Sequence, residues 1–476
     1  MKKIFYILLA ILFPSIQLFA EEISLSLTDA VDSALANNQK IAQQQEVVFQ
    51  KEYLNKAAFG NYLPSVNLIA GYTYLNKNPE INMEKMKESI DNVAVQYAEQ
   101  IASDLGTPLT PQEIDLILAG LGEIPSYNIE IDQQKYKNAN LLITQPIFMG
   151  GEITAGKRFA KSEFDFAKEE LNQTRDQITQ QTIERYLSIA LLERVLAVRK
   201  NVVSGMLKHE RDAQKAVDVG LIPPHEIIRA QVAVANAERK LTDTKNKLTL
   251  ANSALKTLLN LPRYTQFTLS DSLKYYPIDI ELTECNKRAR SNNSILKLIA
   301  QKQIMAEQAF NLERAKFLPK ILAVGEYNII RNNYPMVLPA YSVGLQMEIN
   351  LFGGLKKYNK LQYARHLRSE VSKAKKYATE EILLLTEKYY NEVSNSQTRY
   401  MKLKPTVELA KKNLQINEKR FYEGLGKSID VIDSRLLYQA AQVEQLLSLF
   451  DYYKALSKLY LTIEKSEQIL EMFDCG

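Results

Sequence analysis

The chain has 476 residues, of which 46% are apolar and 24% charged, and it contains only 17 glycines and 15 prolines. So few helix-breaking residues predict long amphipathic helices rather than a series of small domains. The net charge of +5 is spread along the chain without a basic stripe, which argues against nucleic acid as a partner. The two cysteines are too few for a disulfide framework.

The first 20 residues have the pattern of a secretory signal peptide. Lys2 and Lys3 form the charged start, residues 4–13 form the apolar segment, and residues 18–20 form a plausible cleavage site. An uncleaved anchor helix fits less well, because the apolar segment is short and Pro14 interrupts it. No cysteine follows the cleavage site, so the sequence predicts no lipid anchor there. The later sequence contains no apolar run of eighteen residues, and strands would therefore have to cross any membrane.

The remainder of the sequence is duplicated. Leu27-Thr28-Asp29 and Leu63-Pro64 recur 255 positions later as Leu282-Thr283-Glu284 and Leu318-Pro319, whereas Gly220-Leu221 recurs as Gly424-Leu425 after only 204 positions. The shorter offset indicates an insertion in the first copy, a surface loop at about 76–135 with helical stretches. We predict two structural repeats, 21–270 and 271–476, each with the order helix, strand, strand, long helix, turn, helix.

The strands are the basis for a membrane hypothesis. Apolar and polar residues alternate strictly from Tyr341 to Leu351. The predicted strands at 66–74 and 321–329 also have an apolar face. The two strands of the second repeat are therefore predicted within about 320–352. Alternation of this kind suits lipid on one side and water on the other. The strand at about 136–148 alternates poorly, and its lipid face stays unassigned. A soluble four-stranded sheet covered by helices would give the same pattern.

Four strands are too few to close a membrane barrel, since the smallest barrels have about eight. Unpaired strand edges are not tolerated in lipid, so several chains would have to combine their strands. Three chains would supply twelve strands in all, and a dimer with about eight would also close.

Two long helical segments follow the strand pairs. Residues 151–220 and 354–424 contain a single proline, Pro405, and each could extend about 100 Å at about 1.5 Å per residue. Apolar residues recur in them at intervals of three and four, and return helices are expected from near Pro224 to Leu261 and from near Ile429 to Leu470. Antiparallel pairs of this kind could line a tunnel, or they could pack into a solid coiled-coil bundle.

Several motifs resemble those of the TolC-like outer membrane efflux family. They are Gln145-Pro146-Ile147-Phe148-Met149-Gly150-Gly151, Leu351-Phe352-Gly353-Gly354, Val219-Gly220-Leu221, Glu423-Gly424-Leu425 and Ser428-Ile429-Asp430-Val431-Ile432-Asp433. The resemblance implies a homotrimer in the outer membrane of a Gram-negative bacterium: a twelve-stranded β-barrel continued by a periplasmic helical tunnel. It also implies a periplasmic adaptor and an inner-membrane pump as partners, outer-membrane lipid around the barrel, and neither cofactor nor catalysis.

The resemblance assigns roles to residues near the two helical turns. Gly220, Leu221, Gly424 and Leu425 would form the tip that the adaptor contacts, although glycine also suits an ordinary hairpin turn. Asp430 and Asp433 match the family's two acids at the narrowest point of the tunnel, where threefold symmetry would bring six carboxylates together. The alternative for these acids is a structural role at the start of a helix that Ser428 caps.

The same family closes its tip with an arginine-to-acid salt bridge. Glu226 occupies the acidic position, but Gly426 stands where the arginine is expected, and we hypothesise that the adjacent Lys427 replaces it. The three histidines are too scattered to form a metal site, and no catalytic motif occurs. The competing function is a periplasmic coiled-coil scaffold or adaptor without a membrane barrel.

Overall fold

Two helices of 67 residues each are the longest elements of the computed structural model, which describes residues 23–104, 108–122, 129–271, 273–330 and 339–474. The predicted signal peptide lies outside the described residues. The described elements up to residue 258 are β1 (Ile23–Leu25), α1 (Leu27–Asn37), α2 (Gln39–Gly60), β2 (Ser65–Tyr74), β3 (Glu80–Ile81), α3 (Met83–Asp104), α4 (Pro111–Gly120), β4 (Ile129–Glu130), β5 (Lys135–Met149), α5 (Glu152–Asp218) and α6 (His225–Leu258). They continue as β6 (Phe267–Leu269), α7 (Leu282–Asn292), α8 (Ser294–Ala315), β7 (Lys320–Asn328), β8 (Tyr341–Glu348), α9 (Lys356–Tyr422), α10 (Ser428–Thr462) and α11 (Glu467–Asp474).

The helix lengths repeat between the two halves of the chain. Helices α1 and α7 both have 11 residues, α2 and α8 both have 22, and α5 and α9 both have 67. Helices α6 and α10 have 34 and 35 residues. The predicted fold class, mainly α with long helices and four antiparallel strands, is confirmed, while the exact repeat boundaries stay a prediction.

The chain divides into two compact units, and each unit takes segments from both halves. The helical unit comprises the residues up to Lys56, Ala155–Asn311 and the residues from Tyr358 onward. The strand unit comprises Ala57–Thr154 and Leu312–Lys357. None of the described helices contains eighteen consecutive residues apolar enough to cross a bilayer.

The strand unit is built on a four-stranded antiparallel sheet with the order β2-β5-β7-β8. The register places Val66, Ile143, Gly325 and Val343 in one row across the sheet. Because opposite residues of an antiparallel pair share a face, this row identifies the apolar face of β5 that the sequence left unassigned. The apolar face also carries Leu68, Leu141, Ala323, Leu345, Ile321 and Met347.

A β-bulge interrupts β5 near its end. The pairing with β7 shifts between Pro146 and Phe148, so that Pro146 lies opposite Leu322 while Phe148 lies opposite Ile321. A β-bulge of this kind reverses the faces of the residues beyond it. The sheet has no partner on the outer edges of β2 and β8 within the described part of the chain.

The core of the helical unit contains three fully buried tyrosines, Tyr186, Tyr452 and Tyr453. The hydroxyl groups of Tyr452 and Tyr453 donate to the carbonyl oxygens of Tyr276 and Lys274 at 2.8 and 2.6 Å. These hydrogen bonds attach the segment between α6 and α7 to α10. A short parallel pair of β1 and β6, which the sequence did not predict, lies at the start of the same segment.

Each repeat begins with two helices where we expected one, and an asparagine stands at each break. The side-chain amide of Asn38 donates to the carbonyl of Leu258 at 2.8 Å, and its oxygen accepts from the backbone N–H of Lys40 at 2.9 Å. Asn293 repeats the arrangement, donating to Thr462 at 3.0 Å. Each asparagine therefore connects the start of one helix to the last residue of α6 or α10.

The second return helix is shorter than predicted. It was expected to run to about Leu470 but ends at Thr462, and α11 follows as a separate helix. Glu464 has a φ of 55°, and the N–H of Lys465 bonds back to the carbonyl of Tyr460 at 2.8 Å, which closes the helix end. By contrast, Pro405 lies inside α9 and does not end it.

Candidate functional site

Both predicted turns close the long helical hairpins in the same way. Gly220 and Gly424 have φ values of 76° and 73°, the left-handed conformation that favours glycine. The N–H groups of Leu221 and Leu425 each bond to the carbonyl five residues earlier at 2.8 Å, a Schellman ending. The two leucine side chains are 72% and 71% exposed. They are therefore available to a partner, and their contact with an adaptor stays a prediction.

The start of α10 differs from the expected capping. Lys427 is the N-cap residue, and the Asp430 carboxylate accepts a hydrogen bond from its backbone N–H at 3.2 Å. Ser428, which we considered as the cap, is instead 1% exposed, and its hydroxyl oxygen lies 2.8 Å from Nε2 of His209. Ser428 is therefore not the cap that the alternative for the two acids assumed, because its side chain has a tertiary partner on α5.

Asp430 and Asp433 lie three residues apart near the start of α10, on one face of the helix. Asp430 is half-buried and takes part in the capping of α10, whereas Asp433 is exposed. Within the described residues no hydrogen bond or ion pair involves the Asp433 carboxylate. That the two carboxylates form a constriction ring stays a prediction.

The predicted gating pair, Glu226 and Lys427, does not form an ion pair in the described part of a single chain. Glu226 is buried, and its carboxylate lies 3.4 Å from Nε2 of His225 and 3.7 Å from a guanidinium nitrogen of Arg229. Lys427 is exposed. Their role in closing a tip stays a prediction about several chains.

Residues that the sequence analysis missed join α5, α9 and α10 just behind the turns. His209 on α5 contacts Ser428 on α10, and its ring meets that of Phe421 on α9 edge-on, with centroids 4.7 Å apart. Burial, together with the positive charge of Arg435, lowers the pKa of His209. The neutral imidazole is therefore the form that the folded chain favours.

A second connection runs from α10 to α9 across α5. The Arg435 guanidinium forms an ion pair with Glu418 and passes directly over Gly205. A glycine inside a long helix such as α5 is less stable there than alanine. Gly205 was therefore the feature of the sequence that could have indicated a close contact at this position.

An open groove of about 770 Å³ lies beside these residues, between α6 and the start of α10. Ile228 and Val232 line it and are 60% and 56% exposed, and Ile432 and Leu436 line the opposite side. Arg239 and Lys240 also line the groove, so its surface is apolar in part and basic in part. The described residues contain no group of three His, Cys, Asp or Glu side chains that could hold a metal ion.

Known proteins resemble the chain in sequence and in fold. The family model for outer membrane efflux proteins matches residues 112–261 and 286–463, whereas no curated protein sequence matches the chain. The structure is similar to the CmeC outer membrane channel of Campylobacter jejuni, with a TM-score of 0.73, 13% identity, and coverage of 92% of this chain and 86% of CmeC.

Two further outer-membrane proteins have a similar fold. VceC of Vibrio cholerae gives a TM-score of 0.71 at 15% identity, covering 92% of this chain and 95% of VceC. The open-state MtrE channel of Neisseria gonorrhoeae gives a TM-score of 0.67 at 12% identity, covering 92% of this chain and 89% of MtrE.

Proposed function

The chain belongs to the family of outer membrane efflux proteins, and on that premise we propose that three copies of it form one export channel. It is an outer-membrane transport protein and not an enzyme. The family match includes most of both repeats, which sets aside the alternative of a scaffold that never enters the membrane.

The apolar face of the four-stranded sheet is the observation that supports the membrane barrel. Val343, Leu345 and Met347 on β8 are 81%, 77% and 68% exposed in the single chain. Burying such side chains in lipid is favourable, whereas leaving them in water is costly. The unpaired edges of β2 and β8 lie at opposite ends of the sheet order, so the β8 edge of one copy can pair with the β2 edge of the next.

Three copies with four strands each supply twelve strands, which is the number that the family resemblance implies. The polar face, which includes Asn67, Glu326 and Ser342, would then line the water-filled lumen. Tyr72, Tyr74 and Tyr341 lie at one end of the strands and are exposed, as residues of an aromatic girdle are.

The helical hairpins would form the periplasmic tunnel. The groove beside Ile228 and Val232 would be covered by the neighbouring copy, since a tunnel wall of three chains needs such contacts. Asp433 and Asp430 would face the axis and favour cations. The exposed Leu221 and Leu425 would contact the adaptor, and the inner-membrane pump would supply the energy.

Electron microscopy of the detergent-solubilised mature protein tests this proposal. We expect a hollow particle of threefold symmetry that conducts ions when it is reconstituted into a planar bilayer. A water-soluble, solid rod of another symmetry, without conductance, would contradict it.

A further inference from the structure

The insertion between β2 and β5 is a folded substructure that the export function does not explain. Its base extends the β2–β5 ladder, because the N–H of Leu75 donates to Gln134 at 2.8 Å and Ile81 pairs with Ile129. Beyond this base, α3 has 22 residues and α4 has 10. The helices therefore begin at a defined place, just past the end of the sheet that carries Tyr74 and Tyr341.

Helix α3 has an apolar stripe of five residues, four of which are exposed. Ala94 and Ala98 are half-buried and Ala102 is buried, so this small-residue side of α3 is the covered one. The apolar stripe, beside it, consists of Met86, Ile90, Val93, Tyr97 and Ile101. Within it Val93, Tyr97 and Ile101 are 64%, 71% and 51% exposed.

The spacing of the stripe indicates a helix as the partner. Met86, Ile90, Val93 and Tyr97 follow one another at intervals of four, three and four, which is the spacing of a coiled-coil seam. Lipid is a poorer match, because α3 begins beyond the tyrosines that mark the outer membrane boundary in the proposed barrel. Lys85, Lys87 and Glu88 near its start are all exposed, as in a water-facing helix.

The dimensions of the proposed barrel bring the insertions together. Twelve strands about 4.8 Å apart and tilted by about 40° enclose a mouth roughly 24 Å across. A helix with its side chains is about 10 Å thick, so three copies of the α3–α4 pair cannot lie over this mouth without touching. Threefold symmetry then presents the same stripe three times around one axis.

We propose that the apolar stripes of three α3 helices pack against one another over the outer mouth of the channel. The partner of each stripe is thus a second copy of this chain, and the packed helices narrow the outer opening. This inference rests on the proposed trimeric channel.

Cysteine cross-linking in whole cells tests the contact. In a Cys475→Ser background, Val93→Cys places a thiol on the stripe, and Gln96→Cys places one on an exposed polar position of the same helix. Under mild oxidation we expect disulfide-linked dimers at Val93→Cys at least about tenfold above those at Gln96→Cys. Since one disulfide joins two of three chains, the yield should approach about two thirds.

Two outcomes of the cross-linking, read together with native mass spectrometry, would overturn the inference, and they differ in what else they affect. A trimer in native mass spectrometry that gives equal cross-linking at Val93→Cys and Gln96→Cys contradicts the stripe contact alone. A chain that is not trimeric contradicts the proposed function as well.

A photo-crosslinker in place of Tyr97 identifies the neighbour directly. An adduct with a second copy of this chain supports the inference, and an adduct with lipopolysaccharide contradicts it. A Val93→Lys substitution should separate the helices and increase the single-channel conductance severalfold, whereas Gln96→Lys should leave the conductance unchanged. Equal conductance for both variants would again count against the contact.

Discussion

The guanidinium group of Arg435 lies where a side chain on Gly205 would begin. An ideal Cβ at Gly205 would approach the Arg435 guanidinium to within less than 3 Å, so the absence of a side chain on α5 is what lets Arg435 reach Glu418 on α9. Helices α5, α9 and α10 are thereby joined just behind the turns.

We predict that Gly205→Ala destabilises the protein by about 1 kcal/mol, because the displaced arginine loses its ion pair and this loss exceeds the gain in helix propensity. Gly156 on the same helix has open space where a Cβ would lie, since no described atom outside the neighbouring turns of α5 comes within 4 Å. Gly156→Ala should therefore stabilise the protein by about 0.5–1 kcal/mol. Thermal unfolding of the solubilised protein measures both. In an Arg435→Ala background, Gly205→Ala should become stabilising, and a persistent loss would contradict the explanation.

Neutralising Asp433 should lower the cation selectivity that we expect of the proposed channel, without changing the stability of the protein. Its carboxylate is exposed, whereas the Asp430 carboxylate accepts the Lys427 N–H. Asp430→Asn should therefore lower selectivity and also weaken the start of α10 by about 0.3–1 kcal/mol. Reversal potentials in a salt gradient and melting temperatures separate the two effects. Unchanged selectivity in Asp433→Asn would favour a purely structural role for both acids.

Acidification should weaken the connection between α5 and α10. The folded pKa of His209 is below its ordinary value of about 6.5, so the folded chain binds fewer protons than the unfolded chain just below that pH. The contribution of His209 to stability is therefore complete above pH of about 6.5 and is lost as the pH falls towards the lowered pKa. The charged groups that act on it are Arg435, Asp212 and Glu226.

Melting temperatures between pH 7.5 and pH 5 test this prediction. The melting temperature should decline less on acidification in His209→Gln than in the unmodified protein. The exposed His366 provides the control, since His366→Gln should leave the decline unchanged. Burial, with the nearby Glu464, raises the pKa of Asp176 to about 6, and this group opposes the trend because its stabilising form is the protonated one. Because all variants contain Asp176, the difference between His209→Gln and the unmodified protein isolates the histidine. Equal slopes would exclude His209 as the titrating group.

A charge on the apolar face of the sheet should block insertion, whereas a charge on the polar face should not. Leu345 pairs with Ala323 and Gln346 pairs with Leu322, so the two neighbours on β8 point to opposite faces. Leu345→Arg should cost about 2–4 kcal/mol near the middle of the bilayer, and Gln346→Arg should be tolerated in the lumen. Membrane fractionation measures the amount assembled. Equal assembly of both variants would contradict the assignment of the lipid face.

The long helices, the glycine turns and the positions of the four main strands could be predicted from sequence because their signals are local. The 67-residue helices follow from periodicity, and Gly220 and Gly424 lie where the chain must adopt a positive φ. The bulge beside Pro146 could not be predicted, because it depends on the pairing of β5 with β7, which is distant in sequence.

The features that were missed depend on contacts between residues distant in sequence. Asn38 interrupts a helix by bonding to Leu258, which is 220 positions away, and nothing in its immediate neighbours indicates that bond. Ser428 had the right residue type for a helix cap, yet its partner is His209, and tertiary structure overrode the local preference. The three-residue pairing of β1 with β6 is too short to leave a periodic pattern.

The two unpaired edges of the sheet have a genetic consequence. Within the described residues the outer edges of β2 and β8 have no partner. In the proposed trimer, folding in the membrane and assembly would therefore be one event, and each channel would contain three chains that all have to be functional. A variant that assembles but blocks the pore should therefore be dominant. When the variant and the unmodified chain are produced in equal amounts, only about one trimer in eight contains no variant chain. Co-expression of the variant should therefore abolish most of the export.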